Sequence, residues 1–300
     1  MGVVARNSGG GIDMELELER DDLIPGRLAR GVLRLRATKG REIRGAELAL
    51  IGTEYWKYRV TRSDGKGQTT THIVRGTDDL PRVPIRLSGP ASLTQGLTRS
   101  IPFELPVPGL GPPSISADVC GVEWILEAKV DVPGIDPGVV LPVTIHQPTA
   151  LLRAGVVPVG QFALWPSADA GRDGLRGTIS LEPVPLDLGG PIQGRVSLDL
   201  DSALDLQELR VELRVHASAT VSSGLDEQLA VWVGRILEKG RLAAGHHDLS
   251  FSGVLPDVAL PTAVLPHGRT AARLLVVFAV QWAADPYLER DVALATTTEV

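Results

Sequence analysis

The sequence predicts an all-β fold built as two tandem β-sandwiches. Three observations predict it: an internal repeat about half a chain length apart, apolar residues at every second position, and turn residues at short intervals with no long amphipathic helix between them. At 300 residues the chain exceeds what one ordinary sandwich needs and suits two domains that each bury a core.

The repeat is read directly from the residues. Gly31-Val32-Leu33-Arg34-Leu35, then Ile43 and the alternating Ala46-Glu47-Leu48-Ala49-Leu50, recurs as Gly194-Arg195-Val196-Ser197-Leu198, Leu206 and Glu208-Leu209-Arg210-Val211-Glu212-Leu213. Leu105-Pro106 and the run Val122-Glu123-Trp124-Ile125-Leu126-Glu127 recur as Leu255-Pro256 and Ala272-Arg273-Leu274-Leu275-Val276-Val277. Order and approximate spacing are kept, which places a first sandwich at 1–147, a connection at 148–176 and a second sandwich at 177–300.

Each strand follows from its alternation. Ile12, Met14, Leu16 and Leu18 alternate with Asp13, Glu15, Glu17 and Glu19, the pattern of a strand with one wet face. Pro25-Gly26 breaks it, and strands are expected at 28–37, 43–52, 54–61, 70–75 and 83–87, with Ser63-Asp64-Gly65-Lys66-Gly67 as a hairpin loop. Residues 101–105, 122–132 and 139–145 complete the first set. The connection is rich in proline and glycine and has room for one strand, at 161–165. The second set falls at 177–181, 192–200, 206–221, 227–237, 248–255, 272–283 and 288–297. Residues 227–238 also fit helical spacing through Leu229, Val233, Ile236 and Leu237, but Val231, Trp232 and Val233 favour a strand.

Composition excludes several classes. Basic and acidic residues balance up to Gln147, and the excess that gives the net charge of −6 lies beyond it. Nucleic-acid binding, which leaves a basic footprint, is not expected. Cys120 is the single cysteine, so no intrachain disulfide forms and a reducing compartment fits. The start of the chain lacks the apolar segment of a signal peptide, Arg6 stands where a myristoylation signal wants Ser or Thr, and no apolar run spans a bilayer. The expected location is cytoplasmic, with peripheral attachment to a membrane surface left open. Arginine outnumbers lysine by 25 to 5, which points to a GC-rich bacterial genome.

In their order, these motifs resemble the arrestin-like superfamily. The alternating first strand is followed by Asp21-Asp22, Pro25-Gly26 and Gly31-Val32, then by a strand ending near Gly52 with Tyr55, Trp56 and Tyr58. Later come Ile101-Pro102-Phe103-Glu104-Leu105-Pro106, a proline-rich stretch to Ser116, and the Val122 strand ending at Val132-Pro133-Gly134. The second half carries matching pieces at Gly194, Gly245 to Ser252 and Leu255-Pro256. The first half is also similar to bacterial sporulation-control members. The resemblance implies a pair of immunoglobulin-like, arrestin-type sandwiches acting as an adaptor without a catalytic centre. It does not imply phosphate-triggered receptor binding: Glu15, Glu17 and Glu19 stand where receptor-reading members carry basic residues, and Arg30 stands where they carry an acid.

Few residues are candidates for chemistry. Arg27, Arg30, Arg34, Arg36, Lys39, Arg41 and Arg44 form a basic stretch interrupted by Glu42. It suits an anionic partner such as a phosphorylated tail or lipid headgroup. The preferred reading is a solvated ladder, because antiparallel pairing about Pro25-Gly26 puts Glu19 near Arg30, Glu15 near Arg34 and Asp13 near Arg36. His246 and His247 point to opposite faces of a strand and cannot easily share a metal, and His72, His146, His216 and His267 stand alone. Asp199, Asp201 and Asp205 lack the glycine and terminal glutamate of a calcium loop, and Asp78-Asp79 sits in a turn-like stretch. Cys120 beside Gly121 reads as a packed residue rather than a nucleophile. Trp124 belongs to a core face with Val122, Leu126, Ala128, Val130 and Val132, while Trp56 and Tyr58 suit hairpin-face packing or a partner contact.

No catalytic, cofactor-binding or metal site is therefore expected, and the protein reads as a cytoplasmic adaptor for protein partners, held at a sheet edge or on a sandwich face. The alternative is a tandem surface module for carbohydrate or cell-envelope components. An enzyme with an unfamiliar site is a third reading. Partner identity and oligomeric state are open.

Overall fold

A computed structural model describes residues 2–63, 68–154, 174–182, 184–281 and 285–296. The fold is all-β, with sheets packed as sandwiches. In chain order the first elements are β1 (Val3–Gly9), β2 (Ile12–Leu18), β3 (Asp22–Leu23), β4 (Leu28–Ala37), β5 (Arg41–Ile43), β6 (Gly45–Ser63) and β7 (Thr69–Asp79). Then come β8 (Val83–Ser88), β9 (Ala91–Leu93), β10 (Thr98–Pro106), β11 (Ile115–Ser116), β12 (Cys120–Asp131), β13 (Gly138–Ile145) and a helical turn, α1 (Thr149–Arg153). The remainder is β14 (Leu175–Glu182), β15 (Leu186–Asp187), β16 (Pro191–Leu200), β17 (Leu204–Leu206), β18 (Glu208–Ala219), β19 (Asp226–Leu237) and β20 (Gly240–Leu242). It closes with β21 (Gly245–Val254), β22 (Ala263–Val264), β23 (Gly268–Ala279), β24 (Tyr287–Val292) and β25 (Leu294–Ala295).

The chain divides into two compact units. One comprises Met1–Trp56, Arg75–Ser114 and Gly121–His146; the other comprises Lys57–Val74, Ile115–Cys120 and Gln147–Val300. The two hold the same strand plan. The order β2-β4-β10, to which β1 adds an outer strand, is matched by β14-β16-β21, and β13-β12-β6-β7 by β24-β23-β18-β19. The end of each repeat returns to its beginning: β13 pairs in parallel with β3, and β25 in parallel with β15.

Alternation accounts for the cores. Along β2 the pattern is strictly buried and half-buried in turn, and along β12 Val122, Trp124, Leu126, Ala128 and Val130 are buried, as the expected core face requires. The repeated glycines have a packing reason. Gly31 lies opposite Phe103, and a Cβ there would stand 2.6 Å from the ring's Cζ. Gly194 lies opposite Phe251, and a Cβ there would stand 2.6 Å from the ring's Cε1 and 2.7 Å from the Ser180 carbonyl. In each sandwich a phenyl ring is laid across a glycine of the neighbouring strand.

Several boundaries differ from the sequence reading. Residues 43–61 do not form two strands divided at Gly52: β6 runs through it, because Gly52 is where the Trp124 indole rests, with a Cβ position only 2.8 Å from the ring. Residues 206–221 divide into β17 and β18, since β17 turns aside to pair with β20. Residues 288–297 divide at Ala293, where the chain leaves β23 to reach β15. β1, unforeseen in the weak alternation of Val3 to Gly9, pairs with β2. Asp78 and Asp79 lie in β7 rather than a turn. Residues 227–237 are strand, not helix. The strand expected at 161–165 lies outside the described residues.

Gly31→Ala and Gly194→Ala are each expected to lower unfolding free energy by about 1–3 kcal/mol, because the added methyl meets both the ring and a backbone carbonyl of the neighbouring strand, that of Glu17 or Ser180. Gly40→Ala, where nothing lies within 4 Å, is expected to change it by less than about 0.5 kcal/mol. Urea denaturation of the three variants checks the contrast.

Candidate functional site

The basic stretch divides into two parts. β2 and β4 pair so that Glu15 faces Arg34 and Asp13 faces Arg36. Arg34 donates to Glu15 at 2.8 Å and also to Glu17, and Arg6 of β1 donates to Glu15 at 2.6 Å. The Arg6 hydrogen bond, aided by Arg34, holds the Glu15 carboxyl below its ordinary pKa, and the two glutamates hold the Arg34 guanidinium above its own. Arg30 pairs with Glu104 of β10 at 2.9 Å, while the Glu19 amide bonds the Arg30 carbonyl. Arg44 reaches Asp131 at 3.3 Å. The upstream arginines Arg30 and Arg34 thus close a ladder on the sheet, and Arg44 has its own acid. Arg36, Lys39 and Arg41 form no ion pair among the described residues; Arg41 instead donates to the Pro133 carbonyl at 3.1 Å.

The second unit contains a denser charged face. β18 presents Arg210, Glu212 and Arg214, and β23 sets Arg273 directly opposite Arg214. Two guanidiniums facing one another across a sheet repel. Glu212, 5% exposed, accepts from Arg210 at 2.6 Å and from Arg214 at 2.6 Å, while Arg273, 6% exposed, donates to Asp291 at 2.9 Å and Glu289 at 2.7 Å. Burial pushes the Glu212 carboxyl up, but the hydrogen bonds from Arg210 and Arg214 outweigh it and leave the group below its usual pKa. Over this lattice lies a depression of about 280 Å³ with Leu275 and Val277 on its floor. Its arginines are already mated, so it offers no free charge to a ligand. Sequence reasoning missed this cluster; the signal was Arg273, the one charged residue in the otherwise apolar run from Ala271 to Ala279.

The remaining candidates are held apart. His246 sits 3.0 Å from Asp199 and 3.5 Å from Asp248, and the Asp199 hydrogen bond raises its pKa. His247 bonds the Ala243 carbonyl at 2.8 Å. Asp201 pairs with Arg176 and Asp205 with Arg241, so the aspartate trio is dispersed onto separate partners. Among the described residues no group of three or more His, Cys, Asp or Glu is arranged to hold a metal ion. Burial lowers His216. Cys120 is buried against Gly268, whose Cβ position would be 3.0 Å from the Sγ, and its thiol approaches the Arg269 carbonyl at 3.7 Å. Trp56 packs its indole on Gly76, a hairpin-face role, and Trp124 is core.

The β6–β7 hairpin presents a different surface. Four contacts share one register: Thr53 with Asp79, Trp56 with Gly76, Thr61 with Thr71, and the Leu80 amide with the Gly52 carbonyl. The last bond assigns the even-numbered pairs to the hydrogen-bonded positions. Odd-numbered amides of β6 then point away from β7, and those of Lys57 and Arg59 donate at 2.8 and 2.9 Å to Val119 and Ser223. By the same alternation Thr69, Thr71, Ile73, Arg75 and Thr77 direct their backbone groups to the outer edge of β7, where no strand pairs among the described residues.

No family model matches the chain, and no curated protein matches it. Among solved structures it is similar to Spo0M, a sporulation control protein from Bacillus subtilis, at 12% identity and a TM-score of 0.37, over 94% of this chain and 91% of that one. The likeness is distant. No helix is long and apolar enough to cross a membrane among the described residues.

Glu212→Gln is expected to lower stability at neutral pH by about 1–3 kcal/mol, since two guanidiniums lose a shared charge. A carboxyl whose folded pKa is depressed contributes stability above its unfolded value, near 4.3, and loses it as pH falls through the folded value. The gap between the parent protein and the variant should therefore close in acid. Urea melts from pH 7 to about pH 3 test the sign.

Proposed function

We propose that the protein is a non-catalytic scaffold that captures an extended segment of a protein partner at the open edge of β7. The observation that carries this reading is the unbroken register of an eleven-residue strand exposed along nearly its whole length. An edge of this kind offers a row of unmet backbone donors and acceptors to an added strand. Other long strands also stand at sheet edges: β19 contains two register shifts against β18, and such bulges twist an edge away from new partners, β10 carries Pro102 and Pro106, and β21, unbroken against β16, is one residue shorter than β7. β7 has no such irregularity and no proline. The charged clusters support the non-catalytic part of the reading: the carboxylates of Glu15, Glu17, Glu212, Glu289 and Asp291 are engaged by arginines, which leaves none of them poised as a base. The resemblance of the motif order to arrestin-like adaptors points the same way, and a cytoplasmic setting fits the single reduced cysteine.

Proline at position 73 removes an outward amide while sparing the bonds to β6. Affinity capture from the native host with the parent chain and with Ile73→Pro is expected to lose one stoichiometric partner in the variant, with thermal unfolding unchanged. Recovery of the same partners in equal yield by both proteins would overturn edge capture.

A further inference from the structure

One end of the first unit joins four turns into a continuous rim. The Thr38 amide and hydroxyl both bond the Gly11 carbonyl, at 2.9 and 3.1 Å, and the Gly96 amide bonds the Ala37 carbonyl at 2.9 Å. The Lys39 side chain lies along Gly11, with Cε 3.1 Å from where a Cβ would stand. The Ile135 carbonyl stands at the same distance from the Cβ position of Gly10, and Arg41 ties the Pro133 carbonyl to the segment after β4. The β1–β2, β4–β5, β9–β10 and β12–β13 turns are therefore joined into one surface.

Two features of this rim are unusual together. Ile135 is 85% exposed and Leu97 is 66% exposed, large apolar side chains held out at turn tips with nothing over them. Around them Arg36, Lys39, Arg41 and Arg99 form no ion pair among the described residues. Of the nearby acids Asp131 is paired with Arg44, while Asp136 accepts from the Val132 amide at 3.0 Å and Glu42 from the Ser92 hydroxyl and keep their charge, so the four cations outnumber the acids that no cation holds. Apolar tips ringed by cations that no carboxylate holds match an interface that is oily within and anionic at its surface. A soluble anion would use the cations and leave the tips in water. A protein groove would take the tips but has no need of four spread cations.

We propose that this rim docks the protein peripherally on an anionic lipid surface, with Ile135 and Leu97 entering the headgroup layer and Arg36, Lys39, Arg41 and Arg99 lying against lipid phosphates. The downstream part of the basic stretch, left unpaired by the ladder, supplies three of those four cations. Insertion is shallow, because these are single side chains on turns rather than a helix face.

Co-sedimentation of the full chain with phosphatidylcholine–phosphatidylserine vesicles, and with pure phosphatidylcholine vesicles, tests the proposal. Binding is expected to the mixed vesicles alone and to fall with added salt. Ile135→Asp and Lys39→Glu are each expected to weaken it about five- to tenfold. Leu110→Asp, at a residue 69% exposed but outside the rim, is the control and is expected to bind as the parent does. All three sites are exposed, and thermal unfolding verifies that the variants stay folded. Equal binding to both vesicle types, retention of binding by Ile135→Asp, or full competition by inorganic phosphate would each overturn the lipid assignment. None of these outcomes bears on capture at β7, which is read by a protein partner instead.

Discussion

Each sandwich is registered by a ring laid over a glycine. Leu18, Gly31 and Phe103 stand in line across β2, β4 and β10, and Leu181, Gly194 and Phe251 stand in line across β14, β16 and β21. Any side chain at the central position would occupy the place of the ring. A slip of one residue would not only turn the apolar set outward but also drive the ring onto Arg30 or Val32 in the first unit and onto Gln193 or Arg195 in the second. Once this line is set, the outward face follows. Glu15 must meet Arg34, and Ser180 and Ser250 must flank Arg195, because both rows lie an odd number of residues from the glycines.

The charged groups are then consequences of register. On the first unit, acids on one strand oppose bases on the next, and these exposed or half-exposed pairs are each worth little. On the second unit the register brings Arg214 against Arg273, a repulsion that Glu212, Glu289 and Asp291 offset from within the same face. That face is nearly sealed, since Leu275 and Val277 beside Arg273 are also buried. Removing one carboxylate there strands a guanidinium with little water to take its place, whereas removing Glu104 from Arg30 does not.

Much of this was legible before the coordinates. The repeat, the core face through Trp124 and the ladder of Glu15 with Arg34 needed only periodicity and an antiparallel turn at Pro25-Gly26. Gly52 misled because a glycine inside an apolar run reads as a break, while its reason is an indole arriving from β12, far away in sequence. Ala293 misled in the opposite sense: the alternation continues past it, and only the parallel pairing with β15 shows that the chain changes sheets there. The Glu212 lattice was invisible for a related cause. A charged residue in a strand pattern reads as an outward position, and nothing local tells whether that outward face is wet.

The basic stretch shows how such a local pattern divides in three dimensions. Acids of β2 recur at 13, 15 and 17 and face β4 in descending order, so each step toward the end of β4 moves closer to the start of β2. At Arg36 the facing acid is Asp13, whose carboxylate accepts from the Ser8 hydroxyl at 2.7 Å. Beyond it β2 ends in the turn at Gly10 and Gly11, which carries no acid, and Lys39 and Arg41 outrun the ladder. A uniform run of bases in sequence is thereby two physical objects. Arg30 and Arg34 are neutralised by neighbouring strands, whereas Lys39 and Arg41 project past the last carboxylate onto the rim that carries Ile135. Charge that a fold does not neutralise at a sandwich end stays solvated at a cost only of surface entropy, so it persists without being needed for stability. Its placement beside uncovered apolar tips is what sets this end of the unit apart from an ordinary wet face.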